Sequence, residues 1–235
     1  MTDPTVALGA VRASTAALVH GLTAQQWTDD DVRAPSLLPD WSRGHVLTHI
    51  ARNADGITRT LSGALRGERV PRYPDGPAGR NADIEAGAGR GSIELLTDVR
   101  ESAERLDRVL SALADADGWE LPADDRSAGE YLPARWREVE IHRVDLDAAY
   151  TPQDWPPEFV AYLLPELAEK LPGRTDTPLT ITVAEDGSLV PGLVGRSWAV
   201  PGDAPAEVSG PDWALLAWLT GRPHGLDAPQ LDPWS

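Results

Sequence analysis

Glu138 and His142 stand four residues apart in a stretch where Val139, Ile141, Val144 and Leu146 recur at helical spacing. On a helix, that spacing puts two side chains on one face about a turn apart, as two ligands of one metal ion must be. A third ligand has to come from another element. His49 qualifies, because it stands among Val46, Leu47, Ile50 and Ile57 on a stripe expected to face a bundle interior. Two imidazoles and one carboxylate leave coordination positions open for water or substrate, the pattern of catalytic zinc or another first-row divalent ion. His45 competes for the third place, being itself four residues before His49. Its position in the first turn of its helix suits a structural or ligand-orienting role at least as well. His20, near an exposed helix end, carries no functional expectation.

The composition removes several other chemistries. There is no cysteine among the 235 residues, so disulfides, thiolate metal sites and a protein thiol nucleophile are all excluded. Thiol chemistry would need a small-molecule thiol. A formal net charge of −16 and a pI near 4.6 oppose binding to nucleic acid or an anionic membrane, and no basic patch offsets them. Lys170 is the sole lysine, so the positive charge is carried almost entirely by arginine, the residue suited to gripping carboxylates. The start Met1-Thr2-Asp3-Pro4 lacks the features of a signal peptide, and no run approaches about 18 uninterrupted apolar residues. A cytoplasmic location is expected.

The elements that must position these residues follow from periodicity. A helix is predicted from Pro4 to about Gly21, then a loop of some twenty residues, then a helix from about Arg43 to Arg66 with Ser42 or Asp40 as its cap. The Gly- and Pro-rich segment 67–91 reads as a long loop belonging to a site. Helices are predicted from Ser92 to Ala114 and from Leu132 to Ala149, completing a four-helix bundle. The run Thr151-Pro152-Gln153-Asp154-Trp155-Pro156-Pro157 breaks the pattern, which sets expected domains at 1–150 and 151–235. The second domain should hold a helix from Glu158 to Lys170, strands at 179–183, 196–200 and 207–209, and a last helix from Pro211 to Thr220 stopped by Gly221. The fold class is therefore α+β.

Two segments then resemble a known family. Leu38 to Asp55, with Pro39-Asp40-Trp41-Ser42-Arg43-Gly44-His45 leading to Thr48-His49, is similar to the first signature of the mycothiol-dependent maleylpyruvate isomerases of the DinB-like superfamily. Arg135-Trp136-Arg137-Glu138-Val139-Glu140-Ile141-His142-Arg143-Val144-Asp145 is similar to the second. The likeness extends to Arg80-Asn81-Ala82-Asp83-Ile84-Glu85 and to Thr220-Gly221-Arg222. The resemblance implies metal ligands at His49, Glu138 and His142, a DinB-like four-helix bundle and a small C-terminal α+β domain contributing to the active site. It implies a functional arginine at Arg222, with Arg80 as a second candidate for substrate binding.

It also implies that the missing thiol is mycothiol. The thiolate would add to the cis double bond of maleylpyruvate, the resulting single bond would rotate, and elimination of the thiol would give fumarylpyruvate. The partners expected are mycothiol and a small dicarboxylate, or another electrophile if the thiol is transferred and retained. A dianionic substrate in so acidic a protein needs local cations, which a divalent ion and a bidentate arginine supply.

Overall fold

Each helix starts where its residues require it. In the computed structural model, which describes residues 3–233, α1 (Pro4–Ala24) opens with Pro4 in its first turn and with the Asp3 carboxylate accepting from the Thr5 amide at 2.7 Å. The stretch expected as plain loop contains a short helix, α2 (Asp29–Arg33), closed by a capping box between Thr28 and Asp31. Five residues are too few to show a helical period, so only the cap betrayed it. Ser42, rather than Asp40, caps α3 (Arg43–Leu65), and Asp40 adopts a positive φ of 63°.

The largest departure is in segment 67–91, which is not a long loop. It folds into α4 (Gly76–Ala88), with Pro77 in its first turn. Only Ile84 and Ala88 of this helix are buried, too few to produce an apolar stripe in the sequence. The helix docks instead by close approach. A Cβ on Gly44 would lie 2.3 Å from the Ala88 carbonyl oxygen, and one on Gly87 would lie 2.5 Å from Thr48 Cγ2. Burying Ile84 contributes roughly 1.5–3 kcal/mol to holding α4 on α3.

α5 (Ser92–Asp115) buries Leu95, Val99, Leu106, Leu110 and Leu113 along one face. A two-stranded hairpin, β1 (Pro122–Ala123) with β2 (Arg126–Ser127), turns at Asp124, where φ is 56°. It leads to α6 (Tyr131–Asp145), which ends four residues earlier than expected because Asp147 takes φ 50°. The long helices α1, α3, α5 and α6 form the bundle, with α3 packed on α5 and on α6 and α1 on α6 and α5. α1 is apolar and long enough by composition to suit a membrane, yet here it buries Leu8, Val11, Leu18 and Leu22 in the bundle, and Ser14 accepts from the Trp136 indole at 2.9 Å.

Residues up to Asp147 form this first compact unit, and those from Ala148 form a second. The second unit begins with α7 (Pro157–Glu169), anchored by the buried Trp155 against Phe159. A three-stranded sheet follows in the order β4 (Ser197–Val200), β3 (Leu179–Val183), β5 (Ala206–Gly210). β4 runs antiparallel and β5 parallel to β3, pairing Ile181 with Trp198 on one side and Val208 on the other. Leu179, Ile181 and Val183 alternate into the core, as the period-two pattern requires. The buried α8 (Asp212–Leu219) packs on α7 and closes at Gly221, with φ 74°. The chain is thus an α+β protein with an N-terminal helical bundle.

Candidate metal centre

α3 and α6 face each other across the bundle and bring three donor atoms to one point. His49 Nε2 lies 2.8 Å from Glu138 Oε2 and 3.0 Å from His142 Nε2, and His142 Nε2 lies 3.4 Å from Glu138 Oε2. Ligand atoms bonded at about 2.0–2.1 Å to one tetrahedral ion stand about 3.3 Å apart. The trio is therefore already near that spacing, and its two imidazoles and one carboxylate fit a divalent ion. The His49 side chain is 3 % exposed, whereas His142 at 18 % and Glu138 at 26 % keep contact with solvent. The centre is rooted in the core and open on one side.

Electrostatics put His49 and Glu138, but not His142, in the protonation state a ligand needs. Burial, with His142 nearby, lowers the His49 imidazole to about 4, so it is neutral at physiological pH. Burial pushes the Glu138 carboxyl up, but hydrogen bonds from His142 and His49 outweigh it and hold the group well below the usual carboxylate range. Burial works to lower His142, yet the Asp145 and Glu138 carboxylates overcome it and raise that imidazole.

Asp145 is the residue that sequence reasoning missed. It is fully buried, and its Oδ2 accepts from His142 Nδ1 at 2.8 Å, which turns Nε2 toward the centre. The signal was present as His-x-x-Asp on one helix, a spacing that puts the two side chains on one face.

His45 does not join the trio. Its Nδ1 accepts from the Ser42 amide at 3.1 Å, completing the α3 cap, and its Nε2 lies 3.2 Å from Glu85 Oε2. Trp41 stacks on His45 and meets His49 edge-on, walling the site. Arg80, expected in a loop, stands on α4 with its Nη2 3.0 Å from His49 Nδ1. A guanidinium only donates, so Nδ1 is the acceptor there and the His49 proton is on Nε2, directed at Glu138. Arg222 lies in the second unit just beyond α8, where its guanidinium donates to the Thr220 carbonyl and its amide to the Ala217 carbonyl at 2.8 Å.

Fold and site together define a helical-bundle protein in which two histidines and one carboxylate converge and could hold a metal ion. The chain belongs to the mycothiol maleylpyruvate isomerase family, whose N-terminal domain matches residues 8–147. Among solved structures it is similar to a mycothiol-dependent maleylpyruvate isomerase, and equally to a histidine-to-alanine mutant of that enzyme. In each case identity is 25 %, the match covers 99 % of this chain and 98 % of the other, and the TM-score is 0.84.

Proposed function

We propose that this protein is a cytoplasmic, mycothiol-dependent maleylpyruvate isomerase whose divalent ion, zinc by ligand type, is held by His49, Glu138 and His142. The observation that carries the reading is the convergence of these three donors in a chain matching such an isomerase over nearly its whole length. A divalent ion bound there supplies a lowered thiol pKa, keeping mycothiol's sulfur as a thiolate nucleophile. Glu138 and His142 hold the open side of the centre, His49 anchors it to the core, and Asp145 fixes the His142 ring. Trp41 limits water at the inner wall.

Arg80 supplies a cation for the substrate. With His49 Nε2 given to an ion, the ring's remaining proton is on Nδ1, where it and the guanidinium are both donors. Arg80 is then available to a carboxylate. Arg222 is assigned the second carboxylate on the strength of the family resemblance. The expected domains, 1–150 for metal binding and 151–235 contributing Arg222, belong to the same proposal.

Incubating maleylpyruvate with the metal-loaded protein, with and without mycothiol, tests the activity by mass spectrometry and NMR. Thiol-dependent conversion to a trans product of unchanged mass is expected. An adduct heavier by one mycothiol would make the protein a transferase, and no thiol-dependent change would overturn both. His49→Ala, Glu138→Ala and His142→Ala should each lower metal occupancy and turnover while the bundle stays folded. Full occupancy in the Glu138 and His142 variants would remove the ligand assignment.

A further inference from the structure

The last carbonyls of a helix have no intrahelical donor, and at the end of α8 each is met separately. The Arg222 amide donates to the Ala217 carbonyl at 2.8 Å and the Gly221 amide to the Trp218 carbonyl at 3.0 Å. The next two carbonyls are taken by arginine side chains. The guanidinium of Arg222 donates to Thr220, and Arg174 Nη1 donates to Leu219. Arg174 stands forty-five residues before Leu219, just past the short turn Leu171–Gly173 that follows α7.

Beyond Arg222 the chain runs to residue 233 with no helix or strand, so neither a helix nor a ladder holds it. Three points of contact fasten it. Leu226 lies so close to β5 that a Cβ on Gly210 would stand 2.4 Å from its Cδ2. The Trp218 indole donates to the Pro229 carbonyl at 2.8 Å. At the far end the Asp232 amide donates to the Arg174 carbonyl at 3.0 Å, and Arg174 Nη2 donates to the Asp232 carbonyl at 2.6 Å. One guanidinium therefore ties Leu219 to Asp232 and closes the segment that carries Arg222. Pro223 restricts Arg222 further, because the residue before a proline is pushed toward extended backbone.

The two terminal nitrogens of a guanidinium reach two acceptors at once in a fixed plane, which the flexible ammonium of a lysine does not. Arg174 Nε is buried with no hydrogen-bond partner among the described residues, and burial lowers the group below its ordinary value. A cation kept among backbone carbonyls at that cost serves their placement more than it serves stability. An Arg222 fork grips a carboxylate through two parallel bonds only if its own orientation is held. Resting on the reading that Arg222 binds a substrate carboxylate, we propose that Arg174 is its positioning residue, clipping both ends of segment 219–232 so that Arg222 is presented in one orientation.

Hydrogen exchange of the full chain, read on the segment 223–232, tests the clip. Steady-state kinetics of the metal-loaded protein with mycothiol and maleylpyruvate tests its link to Arg222. Arg174→Met should speed exchange of the Leu226 and Asp232 amides by about tenfold or more. It should raise KM by about tenfold, the increment of one charge-assisted bond, with kcat changed by less than about twofold. Arg174→Lys should fall between, since it keeps the charge and loses the fork. In an Arg222→Ala background, Arg174→Met should raise KM no further, whereas a general loosening of the second unit would still add its effect. Because Arg174→Met can itself weaken that unit, Leu226→Ala is the companion variant: it lies on the segment, half-buried, and should raise exchange and KM in the same direction. The proposal is overturned if exchange in Arg174→Met is unchanged, if its KM stays normal while Arg222→Ala is impaired, if the two substitutions add, or if Leu226→Ala behaves as the original protein. No turnover in the unaltered protein, or near-normal kinetics in Arg222→Ala, would overturn the reading of Arg222 itself and with it the role given to Arg174, whatever the exchange shows.

Discussion

Among single residues, the behaviour of the centre depends on which nitrogen carries which proton. His142 is the competing base, because its raised pKa means that an ion must displace its proton, while His49 at about 4 is already neutral. Metal affinity should therefore fall as pH drops below the His142 pKa, by about one log unit per pH unit. A chelator competition series from about pH 5.5 to 8.5 reads this, and a flat profile would show that no ligand proton is released. In the metal-free protein the sign reverses. Protonated His142 favours the folded state below its ordinary value, and that contribution is lost as pH rises through the raised one. Asp145→Ala removes the acceptor that turns the His142 ring, so metal affinity should drop about 10- to 100-fold. Arg80→Met acts in opposite directions on the two ligands: removing a donor and a cation from His49 Nδ1 should tighten metal binding, while substrate KM rises. If Arg80→Met leaves both constants unchanged, Arg80 has no part in the site.

Among the elements, α4 holds Arg80 in place by fitting its backbone against α3 at Gly44 and Gly87. Gly44→Ala sets a methyl group 2.3 Å from a backbone carbonyl, which no rotamer change relieves, so the two helices must separate. The expected cost is about 1–3 kcal/mol of stability, read as a lowered midpoint in denaturant unfolding. Metal affinity should move toward that of Arg80→Met, since Arg80 withdraws with its helix. The long helices were legible because α3, α5 and α6 repeat their apolar residues every three or four positions, and Ser42 marks a start. α4 was not, because it buries only Ile84 and Ala88 and offers glycines where a stripe would be. Segment 67–91, expected as a loop, carries Arg80 on a helix that brings it beside His49.

Across the molecule, all three candidate ligands lie in the first unit and Arg222 lies in the second, so metal binding and substrate anchoring should separate by mutation. Arg222→Ala should leave metal content unchanged and lower kcat/KM by roughly 30-fold to several thousand-fold, with Arg222→Lys intermediate because it keeps the charge and loses the fork. Steady-state kinetics paired with metal analysis decides it. Near-normal kinetics would reduce Arg222 to the local role its bond to the Thr220 carbonyl already shows, supporting the end of α8. Residue order alone was enough for the phase of side chains along the long helices. The helical period sets Glu138, His142 and Asp145 on one face whatever surrounds them, and the absence of cysteine sends thiol chemistry to a partner molecule. Which of His45 and His49 meets that face, and that Arg80 reaches His49, emerged only from the folded chain. Those facts depend on how α3, α4 and α6 align side by side. That register is set by packing between distant segments, and a one-dimensional pattern does not record it.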